Sequence, residues 1–216
     1  MKGVSTGRFI TFEGGEGGGK STQVRILAER LRGSGREVVA TREPGGSPGA
    51  EALRDLLVKG AVDRWSPLTE TLIFYAARRD HVERLIRPAL ERGAWVISDR
   101  FADSTRAYQG AAGGVDTAFI DELERVALGP TRPDLTLILD LPAVEGLRRA
   151  GRRGDDETRF DDKGLSFHDR LRAEFLAIAH REPQRCLVID AAPSAAAVSQ
   201  SIWSRLGAHF SENDFR

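Results

Sequence analysis

The run Gly14-Gly15-Glu16-Gly17-Gly18-Gly19-Lys20-Ser21 fits GxxxxGK[ST] in full and dictates the conformation of both its flanks. A β-like run, Phe9-Ile10-Thr11-Phe12-Glu13, leads into it, and a helical run leads away. Glycines let the backbone wrap closely around phosphate oxygens with its amides turned inward. The N-terminus of the following helix adds a partial positive charge. Lys20 is placed to reach β- and γ-phosphates, and Ser21 to ligate Mg²⁺. The expected nucleotide-binding residues are Gly14, Gly15, Glu16, Gly17, Gly18, Gly19, Lys20, Ser21 and Thr22.

A strand–loop–helix of this kind implies a larger α/β frame. Apolar runs rich in Val, Ile and Leu occur at residues 9–13, 38–41, 95–98, 135–140 and 187–190. They lack in–out alternation, which suits strands buried on both faces. Helical segments fall between them, at 20–32, 49–59, 67–92, 117–128, 143–152, 165–180 and 194–206. The alternation predicts right-handed crossovers and a doubly wound parallel sheet with helices on both faces. With 216 residues, a single domain spanning 1–216 is expected. Residues 148–163 break the pattern: arginines followed by acids, polar and glycine-containing, which predicts a loop between two helices.

Composition narrows the chemistry. Formal net charge is zero, so anion binding is local and no nucleic-acid or membrane partner is implied. No apolar run approaches the roughly 20 residues that span a bilayer, and Met1 to Arg8 lacks the apolar core of a signal peptide. A cytoplasmic enzyme is the expectation. One cysteine, Cys186, rules out an internal disulfide framework. The four histidines are scattered without HExxH spacing, which disfavours a histidine-held metal.

The P-loop class is narrowed by absences. The sole asparagine is Asn213, so the guanine-reading NKxD is missing. Strands end in Asp99-Arg100 and Asp140-Leu141, neither supplying the water-polarising Glu of a hydrolase. A kinase needs a second phosphate site. Arg100 sits at the carboxyl edge of the sheet, where ligands collect, and Arg78 precedes that strand. The planar guanidinium fork suits phosphate and carbonyl oxygens. No general base is evident. A phosphate monoester needs none, since its second pKa of about 6 leaves it ionised near neutral pH.

Five stretches carry a more specific signature: FEGGEGGGKST, TREPGGSPGAEALRDLL, FYAARRDHVE, SDRFADSTRAYQG and RPDLTLILDL. With them the chain resembles the bacterial thymidylate kinase family from Phe9 to about Ala192. The resemblance implies a nucleoside-monophosphate-kinase fold with a five-stranded parallel sheet, a homodimer, and transfer from ATP to dTMP with Mg²⁺ in dTTP supply. It also assigns roles. Phe74 stacks on thymine, Arg78 donates to a thymine carbonyl, and Thr105 with Ser104 reads the ring N3 side. Arg100 holds the acceptor phosphate with Arg54 nearby. Tyr108 crowds the place of a 2′-hydroxyl, and Gln109, Glu43 and Pro44 shape the pocket wall. Asp99 holds Mg²⁺ with Ser21, whereas Asp140 caps the next segment. Glu16 faces the acceptor's 3′-hydroxyl or the metal. Two alternatives are a kinase for another monophosphate and a nucleotide-binding sensor; Lys20, Ser21, Arg100 and the arginines of residues 148–163 argue against the sensor.

In this family the arginine that neutralises the moving phosphoryl comes from the P-loop or from a lid. Here the P-loop position is Gly17, so the lid at 148–163 is expected to supply it, from Arg153 first and Arg149 second. Gly17-Gly18 is also expected to loosen the loop.

Overall fold

The structure, a computed structural model, describes residues 7–61, 63–151, 160 and 163–210. Five strands form one sheet: β1 (Phe9–Glu13), β2 (Val38–Arg42), β3 (Trp95–Asp99), β4 (Leu135–Asp140) and β5 (Cys186–Asp190). Their order is β2-β3-β1-β4-β5 and every pairing is parallel. β1, which feeds the P-loop, is therefore central. It runs in register Phe12 to Asp99 on one side and Phe12 to Leu137 on the other. Strands β1 and β4 are buried almost throughout, as their unbroken apolar runs predict. β2 and β5 differ from that expectation: they are the sheet edges, and most of their residues are partly or fully exposed.

The helices are α1 (Lys20–Gly33), α2 (Pro48–Val58), α3 (Pro67–His81), α4 (Arg87–Glu91), α5 (Ala102–Thr105), α6 (Thr117–Leu128), α7 (Ala143–Ala150), α8 (Leu165–Arg181) and α9 (Ala195–His209). On one face of the sheet, α1 and α9 present Val24, Leu27 and Leu31 and Val198, Ile202 and Leu206 to Ile10, Phe12, Leu137 and Leu139. The spacing of three or four residues is what one helical stripe requires. Each such side chain, fully buried, stabilises the fold by about 1.5–3 kcal/mol. The other face is covered in two parts. Val82, Ile86 and Ala89 pack on Phe9 and Val96, and the α8 residues Phe167, Leu171, Phe175 and Ile178 pack on Ile138.

Helix starts follow local chemistry. Ser66 accepts the Thr69 amide and Pro67 opens α3; Ser194 accepts the Ala197 amide ahead of α9. The expected single helix over 67–92 is divided. Between α3 and α4 lies a π-helical turn, Val82–Ile86, and Pro88 follows where an α-helix interior would lose a hydrogen bond. Sequence reading missed α5 and the second π-helical turn, Arg106–Ala111. These short turns carry Ser104, Thr105, Tyr108 and Gln109 over the sheet edge. Asp140 does not cap the next segment as expected. It pairs with Arg172 of α8 at 2.7 Å and 3.0 Å, and Pro142 stands at the cap position.

Candidate active site

A cavity of about 450 Å³ opens at the carboxyl edge of β1, β2 and β3. Its floor at one end is the P-loop. Lys20 is buried, its Nζ donating to Gly15 O at 2.7 Å and Gly14 O at 3.2 Å. Burial, with the nearby Arg100 charge, lowers its ammonium to about 8, against the opposing pull of Glu16 and Asp99. Ser21 Oγ donates to Asp99 Oδ2 at 2.5 Å. Two hard oxygen donors thus adjoin at the start of α1.

Gly17 is not a loose link. Its φ of +67° places it in the left-handed region, and a Cβ built there would lie 2.1 Å from Gly146 O of α7. Reciprocally, a Cβ on Gly146 would meet Glu16 O at 2.5 Å. The P-loop and α7 touch backbone to backbone. No arginine side chain leaves position 17 in this arrangement, and the helix that leads into residues 152–159 is pinned beside the loop.

The middle of the cavity is a charged relay. Arg100 Nη2 meets Glu16 Oε1 at 2.8 Å, while Nη1 donates to Gly14 O at 3.1 Å and Ser104 Oγ at 3.2 Å. Tyr108 Oη donates to the same Glu16 oxygen at 2.5 Å, and the Arg100 guanidinium lies 4.9 Å from the Tyr108 ring centre. Burial opposes the Arg100 charge, but Glu16, Tyr108 and Asp99 outweigh it and raise the guanidinium further. Burial beside Glu16 likewise pushes the Tyr108 phenol well above its ordinary value, although Arg100 opposes this.

The far end is built around Arg78, 2% exposed. Its Nε donates to Glu43 Oε2 at 2.6 Å, Nη1 to Thr105 Oγ1 at 3.1 Å and Nη2 to Phe101 O at 3.1 Å. Glu43 is held from the other side by His81 Nδ1 at 3.0 Å, and His81 Nε2 meets Thr41 Oγ1 at 2.8 Å. Burial acts to raise the Glu43 carboxyl, yet Arg78 and His81 together bring it below the usual range. Phe74 and Phe160 line the same end, 6.3 Å apart. Gln109 bonds Glu70 at 3.1 Å, and Arg54 donates to Pro44 O at 2.6 Å. Among the lining residues cations outnumber carboxylates, so the cavity favours an anion.

A profile of the family described as thymidylate kinase matches residues 12–202. The chain belongs to the thymidylate kinase family. It is 62% identical over 208 residues to a thymidylate kinase of Caulobacter vibrioides, covering 94% of this chain and 100% of that one. It is 56% identical over 202 residues to a thymidylate kinase of Afipia carboxidovorans, covering 93% and 89%. Among solved structures, the thymidylate kinase of Ehrlichia chaffeensis superimposes with a TM-score of 0.74 at 38% identity, covering 93% of this chain and 99% of that one.

In this family member, all ten expected acceptor-side residues share one cavity: Glu43, Pro44, Arg54, Phe74, Arg78, Arg100, Ser104, Thr105, Tyr108 and Gln109 line it together with Glu16, Lys20, Ser21, Thr22 and Asp99. Gly14 and Gly15 contribute carbonyls to Lys20 instead of lining it. Arg149 reaches its edge, but its guanidinium is engaged by Glu145 at 2.8 Å and by the carbonyls of Ala191 and Ala192 at 3.0 Å and 2.9 Å. Arg152, Arg153 and Arg159 lie outside the described residues. Sequence reading missed Phe160, His81 and Glu70. His81 stands inside the FYAARRDHVE stretch, where a histidine three residues past Arg78 shares its helix face. Phe160 and Glu70 carry no local signal.

Proposed function

We propose that this chain transfers the γ-phosphoryl group of ATP to dTMP, giving ADP and dTDP for dTTP supply. The observation that carries this is the continuity of the cavity: a P-loop at one end, a buried Arg78–Thr105 pair beside Phe74 at the other, and Arg100 between them. In this reading the P-loop amides and Lys20 hold the ATP phosphates. Bound phosphates raise the Lys20 ammonium and keep it charged. Arg100, held against Glu16 and Gly14 O, receives the acceptor phosphate, with Arg54 nearby. Thymine lies on Phe74, its carbonyl on Arg78 and its N3 edge on Thr105 and Ser104. Tyr108 fills the space that a 2′-hydroxyl needs, and Gln109, Glu43 and Pro44 complete the wall.

Ser21 and Asp99 fit Mg²⁺, a hard cation that takes hydroxyl, carboxylate and water oxygens. When bound, the ion neutralises phosphate charge. The acceptor attacks without a base, being already ionised. Positioning and charge neutralisation then supply the rate. Residues 148–163 act as the lid of a single kinase domain, with Arg153, then Arg149, supplying transition-state charge. The close packing at Gly17 supports a lid source for that charge. The working form is a cytoplasmic homodimer without a nucleic-acid or membrane partner; among the described residues no helix is long and apolar enough to cross a membrane.

A coupled ADP-release assay with a panel of monophosphates tests this. Turnover with dTMP well above dUMP, CMP and AMP supports it. Better turnover with another acceptor overturns the assignment of dTMP, and ATP binding without turnover overturns the kinase reading.

A further inference from the structure

Glu13 ends β1 with no exposed surface and takes no part in the reading above. Its carboxyl group faces the turn that carries Arg100. Oε1 accepts the Phe101 amide at 2.8 Å and the Ser104 amide at 3.3 Å. Oε2 receives the Ser104 hydroxyl at 2.6 Å, and that hydroxyl in turn accepts Arg100 Nη1 at 3.2 Å. One residue earlier on the same strand, Phe12 O accepts the Arg100 amide at 2.9 Å. β1 therefore grips Arg100 on both sides of its Cα.

Arg100 needs that grip. Its φ of +68° makes it the sole non-glycine residue in the left-handed region among the described residues, a conformation that a Cβ disfavours. A turn freed of these bonds would lose the backbone that holds the guanidinium against Gly14 O and Glu16. We infer that Glu13 is a positioning residue for acceptor recognition: its two-pronged reach locks the left-handed turn at Arg100 and aims that guanidinium into the cavity. The inference rests on the reading of Arg100 as the holder of the acceptor phosphate. Burial, and then the charge of Asp103, pushes the Glu13 carboxyl up to about 8. What Glu13 contributes near neutral pH is its reach, not its charge.

Reach and charge separate in two variants of the full chain. Glu13→Gln keeps the length and one oxygen for the Phe101 and Ser104 amides, puts an N–H donor where Oε2 meets the Ser104 hydroxyl, as the O–H of a neutral carboxyl group would, and has no ionisable group. Glu13→Asp keeps the carboxyl group but withdraws it by one methylene from the Phe101 and Ser104 amides. In steady-state assays, Glu13→Asp is expected to raise the KM for dTMP about tenfold, with the KM for ATP changed less than about twofold. Glu13→Gln is expected to stay within about threefold of the parent on both substrates. Ser104→Ala removes the hydroxyl shared by Glu13 and Arg100 as well as the one assigned to the N3 edge; it is expected to raise the dTMP KM about threefold in the parent and clearly less in an Arg100→Ala background, and that difference serves if Glu13→Asp does not fold. The inference is overturned if Glu13→Gln loses as much as Glu13→Asp, if both KM values rise together, or if Glu13→Asp folds and leaves the dTMP KM unmoved. Arg100→Ala is run alongside. If it leaves the dTMP KM unchanged, the reading of Arg100 fails; if it raises that KM while Glu13→Asp does not, Glu13's positioning role alone fails.

Discussion

Glu16 and Arg100 hold each other across the middle of the cavity, Oε1 of one 2.8 Å from Nη2 of the other, with the Tyr108 hydroxyl on the same oxygen at 2.5 Å. The carboxylate that a phosphate-binding loop should shun is thus matched to the arginine assigned to the acceptor. Glu16→Gln removes the charge while keeping the shape. It is expected to raise the dTMP KM about tenfold, since charge-assisted hydrogen bonds are roughly twice as strong as neutral ones. ATP affinity, measured by calorimetry, should change far less. Equal losses in both would place Glu16 elsewhere in the chemistry.

Arg78 uses each nitrogen of its fork at once, on Glu43, Thr105 and Phe101 O, inside a site 2% exposed. Arg78→Met preserves volume but leaves the buried Glu43 without its main counter-charge. Breaking a buried pair in this way costs about 3–5 kcal/mol. Urea denaturation monitored by circular dichroism should show that loss; a change below about 1 kcal/mol would mean that Glu43 is satisfied by His81 alone.

The parallel sheet was legible because five apolar runs alternated with helical ones, and two-sided burial writes itself into sequence as unbroken Val, Ile and Leu; the strand order around β1 was not, because it is set by pairings between segments far apart in the chain. The acceptor side was legible only through motif resemblance. Its geometry depends on α5 and the turn at Arg106–Ala111, which are too short to show a periodicity. Edge exposure of β2 and β5 and the Asp140–Arg172 pair are tertiary facts, decided by neighbours distant in the chain. Glu13 was hidden differently: a strand-end glutamate beside a P-loop looks like part of the motif, and nothing local says that it reaches the turn after Asp99.

Gly17 and Gly146 make the P-loop and α7 a single packed unit. Gly17→Ala adds a Cβ at a φ of +67° and within 2.1 Å of Gly146 O. Strain of this kind costs about 1–3 kcal/mol. Thermal denaturation should show a lower Tm for Gly17→Ala and, separately, for Gly146→Ala, whose Cβ meets Glu16 O at 2.5 Å. An unchanged Tm in both variants would contradict the close contact.

Lys20 sets a pH dependence. Its ammonium is lowered from 10.5 to about 8 in the folded chain. Between those values the unfolded chain binds the extra proton, so this group's contribution to stability rises with pH through that window; below about 8 its buried charge opposes folding in full. Nucleotide phosphates reverse the shift by favouring the charged form. ATP binding should therefore take up as much as about one proton near pH 8.5, and ATP affinity should fall as pH rises further. Calorimetry in two buffers of different ionisation enthalpy measures the uptake. No uptake would show that Lys20 holds its proton in the free protein.

With position 17 closed to a side chain, the proposed function draws its transition-state charge from residues 148–163. Arg153→Ala should lower kcat by about a thousandfold, as for other transferable arginines of phosphoryl transfer, with a smaller effect on ATP affinity. An unchanged kcat moves the role to another arginine of residues 148–163. Arg149 is then the weaker choice, since its guanidinium already binds Glu145 and two carbonyls.

Phosphoryl transfer itself is observed most directly by ³¹P NMR of ATP, dTMP and Mg²⁺ incubated with the protein. The account predicts ADP and dTDP appearing in equal amounts, with no inorganic phosphate. ADP accompanied by inorganic phosphate and unaltered dTMP would make the protein a hydrolase and contradict the reading of Arg78, Arg100 and Glu16 as an acceptor site.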